Sequence, residues 1–232
     1  MEDGKVMINI IYEDNHLLVV EKPCNILVQA DNTGDLDLLT MLKNDIKKRY
    51  NKPGNVYLGL VHRLDRPVGG VMVFAKTSKC ASRLSEQVRT HKFKKVYLAV
   101  ICGKTPLNGT LEDKLLKDSK TNKVIVDSRG KDSILHYELC DYKENLSLVK
   151  ITLETGRSHQ IRVQFSSRNL PLWGDQKYNK NAKVGEQIAL FASSLSLIHP
   201  ITKEVMTFKA DLPKTYPWNI FTNWHSTFFT IY

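Results

Sequence analysis

Apolar and polar positions change rhythm along this chain, and the changes predict alternating strands and helices. Residues 6–12 and 17–21 read as two strands joined by the polar turn Glu13-Asp14-Asn15-His16. Leu38, Leu39, Leu42 and Ile46 recur at helical spacing after Gly34-Asp35, which predicts an amphipathic helix over 36–50. The opposite face of that helix carries Lys43, Lys47, Lys48 and Arg49. Residues 70–76 form a short apolar run of strand length. Ser78 is then placed to cap a helix whose inward positions are Ala81, Leu84 and Val88. Residues 95–102 return to strand alternation, with Val96, Leu98, Val100 and Cys102 on one face and Tyr97, Ala99 and Ile101 on the other.

The rhythm weakens over 104–133, where Lys114, Lys117, Lys120, Lys123, Arg129 and Lys131 are loosely spaced. A ligand-touching loop and a twisted hairpin both fit that stretch. Strands are predicted at 134–142 and 146–154, a helix opening at Ser158, and a further strand at 188–198. The last seventeen residues hold seven of the chain's twenty aromatics, among them Tyr216, Trp218 and Phe221. Such a tail either stacks on bases or, more simply, docks on the core. No repeat, low-complexity linker or break in composition marks two independent domains. One α+β domain spanning 1–232, with room for two lobes, is the expectation.

Composition narrows the class. With 232 residues, 42% hydrophobic and 25% charged, the chain has ordinary globular content and is long enough to bury a sizeable core. No run approaches the length of a membrane span, and MEDGKVMINI has no apolar signal region. The four cysteines (Cys24, Cys80, Cys102, Cys140) are far apart and lack the spacing of a zinc site or disulfide framework. A cytoplasmic, metal-free protein is expected.

Charge adds a partner. The formal net charge is +10, but residues 1–42 carry −6 and residues 43–109 carry +12. A basic middle of this density suits a polyanion, nucleic acid first, although a merely solvated surface also fits. The acidic first 42 residues are expected to face away from such a partner.

Two segments concentrate candidate chemistry, while nucleotide-binding and metallohydrolase motifs are absent from the sequence. In Gly59-Leu60-Val61-His62-Arg63-Leu64-Asp65-Arg66-Pro67-Val68-Gly69-Gly70, Asp65 is flanked by two arginines. Neighbouring guanidinium groups keep a carboxylate ionised, as a nucleophile or proton acceptor requires. A turn-capping Asp paired with surface arginine is the plainer reading. In Glu154-Thr155-Gly156-Arg157-Ser158-His159-Gln160-Ile161-Arg162, a strand ends at Gly156 and Ser158 can cap the next helix, whose N-terminus would seat a phosphate or carboxylate. An ordinary helix start with a basic exposed face fits too.

At these residues the chain resembles the RluA family of RNA pseudouridine synthases. The matching blocks are Lys22-Pro23, His62-Arg63-Leu64-Asp65-Arg66, Lys95-Val96-Tyr97 with Gly103, Thr155-Gly156-Arg157-Ser158-His159-Gln160-Ile161-Arg162, Gly174-Asp175 with Tyr178, and His199-Pro200. They occur in the family's order. The resemblance implies a mixed, mostly antiparallel central sheet flanked by helices and loops. It also implies isomerisation of uridine to pseudouridine in ribosomal or transfer RNA, with no need of a nucleotide, metal or other cofactor; a monomer is expected.

Carried over residue by residue, the resemblance makes Asp65 the essential carboxylate, acting at the sugar or the base. Tyr97 is the ring that stacks on the uracil, and Arg162 the partner that keeps Asp65 ionised. Arg63 would fill the space left by a flipped-out nucleotide, since a stacked uridine cannot be reached in place. His62, Arg157, His159 and Gln160, with Lys47, Lys48 and Arg49, complete the expected RNA contacts. The N-terminal S4 RNA-binding domain of many relatives is not expected here, since the 61 residues before His62 leave it no room.

The departures are Arg66-Pro67-Val68-Gly69-Gly70 where the family usually reads Arg-Asp-Thr-Ser-Gly, Cys24-Asn25 after the Lys-Pro pair, Gln164, and Phe191. They bear on substrate choice. The competing reading is a catalytically silent RNA-binding or ribosome-assembly protein on the same fold, and a third is a nucleic-acid hydrolase using Asp65 as base.

Overall fold

The computed structural model describes residues 7–118 and 120–221. Eleven strands and three α-helices occur among the described residues, and every strand ladder described below with its register is antiparallel. A lone parallel bridge joins Leu27 to Asp37. The expected α+β class is what forms. The chain divides into two compact units, residues 7–95 with 192–210 and residues 96–191 with 211–221.

In the first unit, β1 (Asn9–Glu13) pairs with β2 (Leu17–Lys22), and β2 pairs with β4 (Gly69–Ala75). The short β3 (Gly59–Leu60) lies on β4. β10 (Leu190–Ile198) neighbours β4 and carries β11 (Val205–Lys209). The continuous apolar run of β4 is explained by burial of all seven of its residues. Gly70 sits at φ 119°, and a Cβ there would collide with the Ala192 backbone, so only glycine fits.

Helix α1 (Leu38–Arg49) buries Leu38, Leu42 and Ile46, the apolar stripe read from the sequence. Each such side chain contributes about 1.5–3 kcal/mol by leaving water. The cap is Asp37, whose carboxylate accepts the Thr40 N–H at 3.0 Å, so the helix starts two residues later than its periodicity suggests. Helix α2 (Ser78–Arg89) buries Leu84 and Cys80 among Leu17, Val19, Val71, Val73, Leu195 and Phe208. Its cap is Thr77 rather than Ser78: the Thr77 hydroxyl accepts from Cys80 N, and Ser78 is already helical.

The second unit is an antiparallel sheet with spatial order β5-β9-β8-β6-β7, so β5 pairs with β9 and β6 with β8 across connections that skip neighbours. Its strands are β5 (Lys94–Cys102), β6 (Asn108–Asp118), β7 (Lys123–Val126), β8 (Lys131–Lys143) and β9 (Leu146–Leu153). The lysine-rich stretch is thus the hairpin alternative, with Leu115 opposite Val126 and Asp118 opposite Lys123. Helix α3 (Gln160–Ser166) opens two residues after the expected Ser158. His159 takes a left-handed conformation at φ 52° and no side chain caps the helix, so the chain bends sharply before the first helical turn. Trp218 and Phe221 are buried, in keeping with a docked tail, whereas Trp224, Phe228, Phe229 and Tyr232 lie outside the described residues.

The acidic N-terminal stretch is not set apart from the basic residues. Glu13 pairs with Arg49 and Lys76, and Asp35 pairs with Arg66 beside the HRLDR segment. In the described part of this stretch, folding uses the Glu13 and Asp35 carboxylates to offset local positive charge.

Candidate active site

The HRLDR loop follows β3 and leads into β4. Where the β3–β4 ladder ends, the His62 ring continues it, its Nε2 accepting the Val73 N–H at 3.1 Å. The ring is 8% exposed and packs edge-on against Phe93. Accepting through Nε2 requires a neutral imidazole, and burial, aided by Lys95, pushes its pKa down to about 3. His62 was expected among the RNA contacts; its position is that of a buried structural acceptor.

After His62, Arg63 is exposed and Leu64 buried, so the loop presents alternate side chains outward. Asp65 is partly buried and opens a turn closed by the Val68 N–H donating to the Asp65 carbonyl at 3.0 Å, with Pro67 inside the turn. Proline fixes φ there and stiffens the backbone that carries the carboxylate.

The anchor of this turn is Lys22, only 1% exposed at the end of β2. Its ammonium donates to the carbonyls of Pro23 at 3.0 Å, Arg66 at 3.0 Å and Val68 at 2.7 Å. Three donors meet three acceptors, which is the full capacity of a lysine. Burial pushes its pKa down to about 8, against the raising pull of Cys24 and of Asp65. Arg66 is turned outward, donating to the Asn25 carbonyl at 3.2 Å and pairing with Asp35 at 2.7 Å.

In the second unit, Tyr97 stands on β5 opposite Ile151 and is 6% exposed. The Thr155–Arg162 segment is fixed by Gln160, which is 2% exposed. The Gln160 carbonyl oxygen accepts from the Thr155 hydroxyl at 2.9 Å and the Arg157 N–H at 3.0 Å, while its amide donates to the Ile134 carbonyl at 3.1 Å. Gln160, expected among the RNA contacts, is buried and shapes the turn. Arg157 remains exposed, with its Nε donating to the Asp132 carbonyl.

Arg162 does not lie on an exposed basic helix face. It is 6% exposed and bound bidentately by Asp175, Nε to Oδ2 at 2.8 Å and a terminal nitrogen to Oδ1 at 2.6 Å. The planar fork matches the carboxylate and holds the guanidinium in one orientation. Its carbon lies 5.1 Å from the centre of the Tyr178 ring, a cation–π contact. Gly174 precedes Asp175 at φ 69°, and a Cβ there would strike the Gln187 carbonyl, which explains the Gly-Asp pair.

Lys47 and Lys48 are exposed at the end of α1, but Arg49 is bound to Glu13 at 2.7 Å and Asp45 at 2.6 Å. The partners Lys22, Asp175 and Tyr178 were visible in the sequence only as blocks of the family resemblance. A lysine closing an apolar strand just before a proline was the one local signal. Among the described residues, no three His, Cys, Asp or Glu side chains group to hold a metal ion.

The first unit carries a carboxylate on a stiff, anchored turn; the second, taken by itself, carries a buried, oriented guanidinium and a buried tyrosine. A fixed cation in a dry setting stabilises developing negative charge better than the same cation in water.

A sequence model of RNA pseudouridylate synthases matches residues 16–167. Ribosomal large subunit pseudouridine synthase D of Zymomonas mobilis is 32% identical over 227 residues, covering 92% of this chain and 72% of that protein. The synthase D of Buchnera aphidicola subsp. Baizongia pistaciae is 34% identical, covering 90% and 70%. Among solved structures, human RNA pseudouridylate synthase domain containing 4 superposes with a TM-score of 0.74 at 23% identity, covering 89% of each chain, which supports the fold. The chain belongs to the RNA pseudouridylate synthase family, in the RluA branch its motifs resemble. It is an RNA-binding isomerase that converts uridine in RNA to pseudouridine. No helix among the described residues is long and apolar enough to cross a membrane.

Proposed function

We propose that this enzyme isomerises specific uridines in structured RNA, with large-subunit ribosomal RNA as the first substrate to test, and that Asp65 is its essential catalytic carboxylate. The observation that carries this reading is the Lys22 anchor: a buried ammonium spends all three donors on the chain around the Asp65 turn. Such an anchor keeps a partly buried carboxylate at one place while a nucleotide is brought to it.

The uridine must leave its stack to reach Asp65, and the cost of unstacking is met by protein contacts. Arg63, exposed beside the turn, would occupy the vacated space. Tyr97 offers a ring face for the extruded uracil. Arg162, kept charged and oriented by Asp175, stabilises negative charge as the glycosidic bond breaks and carbon 5 is presented to the sugar. Whether Asp65 bonds to the sugar or moves a proton there, the reaction returns the carboxylate unchanged. Lys47, Lys48, Arg157 and His159 are assigned to RNA contact. The two units work as one catalytic domain, and the chain acts as a cytoplasmic monomer. The named activity of the relatives, on the ribosomal large subunit, supports the choice of substrate.

The test is tritium release from 5-tritiated uridine in large-subunit ribosomal RNA, with bulk transfer RNA in parallel. Release from the ribosomal substrate, with pseudouridine mapped to discrete positions, is expected. Release from transfer RNA alone would overturn the substrate assignment, and release from neither would overturn the reading.

A further inference from the structure

Tyr178 joins two parts of the second unit that the chemistry above leaves unconnected. Its phenol oxygen accepts the Val124 N–H at 2.9 Å, on the edge strand β7. The same oxygen lies 2.6 Å from His159 Nδ1, and the two rings meet edge to face with centroids 5.6 Å apart. With the strand N–H donating to it, the phenol can direct its own proton at Nδ1. The face of the Tyr178 ring meanwhile covers the Arg162 guanidinium.

The attachment has further points. The Lys177 ammonium donates to the Asn122 carbonyl at 2.8 Å, beside the hairpin turn. Leu115 and Val124 of the hairpin bury their side chains with Val163 of α3, and Tyr178 packs against that cluster. The Ser166 hydroxyl holds the Tyr178 carbonyl at 2.7 Å from the other side.

The hairpin so fastened is basic. Lys117, Lys120 and Lys123 are exposed near its tip, whereas Lys114 is paired with Asp132 and Arg129 with Asp127. Exposed ammonium groups on an antiparallel ribbon at the sheet edge suit the phosphate backbone of RNA.

We propose that the β6–β7 hairpin is an RNA-gripping arm and that Tyr178 is the positioning residue that docks it against the segment holding Arg162. The inference rests on the isomerase reading and adds to it the element that bears the RNA and its mechanical link to the buried arginine. Tyr178 acts through the hairpin and touches no reacting atom.

The experiment measures kcat and KM for tritium release from 5-tritiated large-subunit ribosomal RNA with the full chain. Tyr178→Phe keeps the ring over Arg162 and removes only the hydroxyl. It removes the hydroxyl's bonds to Val124 and His159 and is expected to raise KM about 5- to 100-fold, the worth of two lost hydrogen bonds, with kcat within about twofold. Replacing Lys117, Lys120 and Lys123 together by Gln is expected to raise KM as well. Combined with Tyr178→Phe, the triple replacement should raise KM by less than the product of the two effects, because an undocked arm uses its lysines poorly. Val124→Pro removes one of those two bonds, from the hairpin side and with His159 untouched, and is expected to reproduce part of the rise.

An unchanged KM in Tyr178→Phe, a fall in kcat alone, or strictly multiplicative effects would each overturn the proposal. So would a lysine triple variant with wild-type KM. A wild-type enzyme that releases no tritium would overturn the isomerase reading itself, a different result from any of these.

Discussion

The Lys22 ammonium donates to the Val68 carbonyl at 2.7 Å, tying the end of strand β2 to the far side of the turn that begins at Asp65. Lysine is rarely buried, and this one is satisfied only because three backbone carbonyls converge on it.

Replacing Lys22 by Met would leave those carbonyls without their donor in a buried setting. Each unsatisfied group costs about 1–3 kcal/mol, so the variant is expected to lose several kcal/mol of stability in urea unfolding. At a temperature where the variant stays folded, kcat is expected to fall by more than the RNA dissociation constant rises. An equal loss in both would mean that Lys22 supports the fold and not the placement of Asp65.

Asp175 neutralises and orients Arg162 through two hydrogen bonds of 2.8 and 2.6 Å. Asp175→Asn removes the charge at constant shape and takes a bidentate carboxylate from a buried guanidinium, with an expected loss of about 3–5 kcal/mol in folding free energy. Arg162→Lys keeps the charge but not the fork, and is expected to lower kcat at least tenfold with near-native RNA affinity. A fully active Arg162→Lys enzyme in the tritium assay would contradict the role given to the bidentate geometry.

His62 sets a pH dependence of stability. Its pKa is depressed from the ordinary 6.5 to about 3 in the folded protein, chiefly by burial. Between those values the unfolded chain binds a proton that the folded chain does not. The stability that the neutral ring provides is therefore complete above pH 6.5 and declines as pH falls toward 3, with a slope of at most about 1.4 kcal/mol per pH unit. Urea midpoints of wild type are expected to fall more steeply between pH 7 and pH 4.5 than those of His62→Gln, which keeps an acceptor for Val73. Parallel curves would exclude His62 as the source.

Salt dependence separates the basic residues of α1. Lys47 and Lys48 are exposed, whereas Arg49 is bound to Glu13 and Asp45. Replacing Lys47 and Lys48 by Gln is expected to flatten the slope of log affinity against log salt by about 0.7–0.9 for each lost phosphate contact. Arg49→Gln is expected to leave the slope unchanged, since its partners already offset its charge. Filter binding across a salt series reads both.

How much of this was legible depended on whether a residue's role is local. The burial of β4 and the stripe of α1 could be read because periodicity is local. The Thr77 cap was misread by one position because Thr and Ser are equivalent caps by type and only backbone geometry decides. The hairpin stayed ambiguous because Lys117 stands two residues after Leu115, where strand alternation calls for a second apolar side chain. For the site, the HRLD and TGRSHQIR blocks were visible, but the partners were not. Asp175 reaches Arg162 only after Gly174 turns the chain, and the acceptors of Lys22 lie one to 46 residues away. Gln160 was assigned to RNA contact from its place in the TGRSHQIR block, whereas Thr155, Arg157 and Ile134 together create a buried place for it.

The central claim is that Asp65 performs the chemistry and does not merely support the loop. Its most direct test is single-turnover tritium release by Asp65→Asn and Asp65→Ala, each at saturating enzyme, with RNA affinity and unfolding midpoint measured on the same preparations. Loss of release by at least a thousandfold, with RNA affinity and stability close to wild type, is the predicted result. Release surviving in either variant at more than a few per cent of the wild-type rate would contradict it.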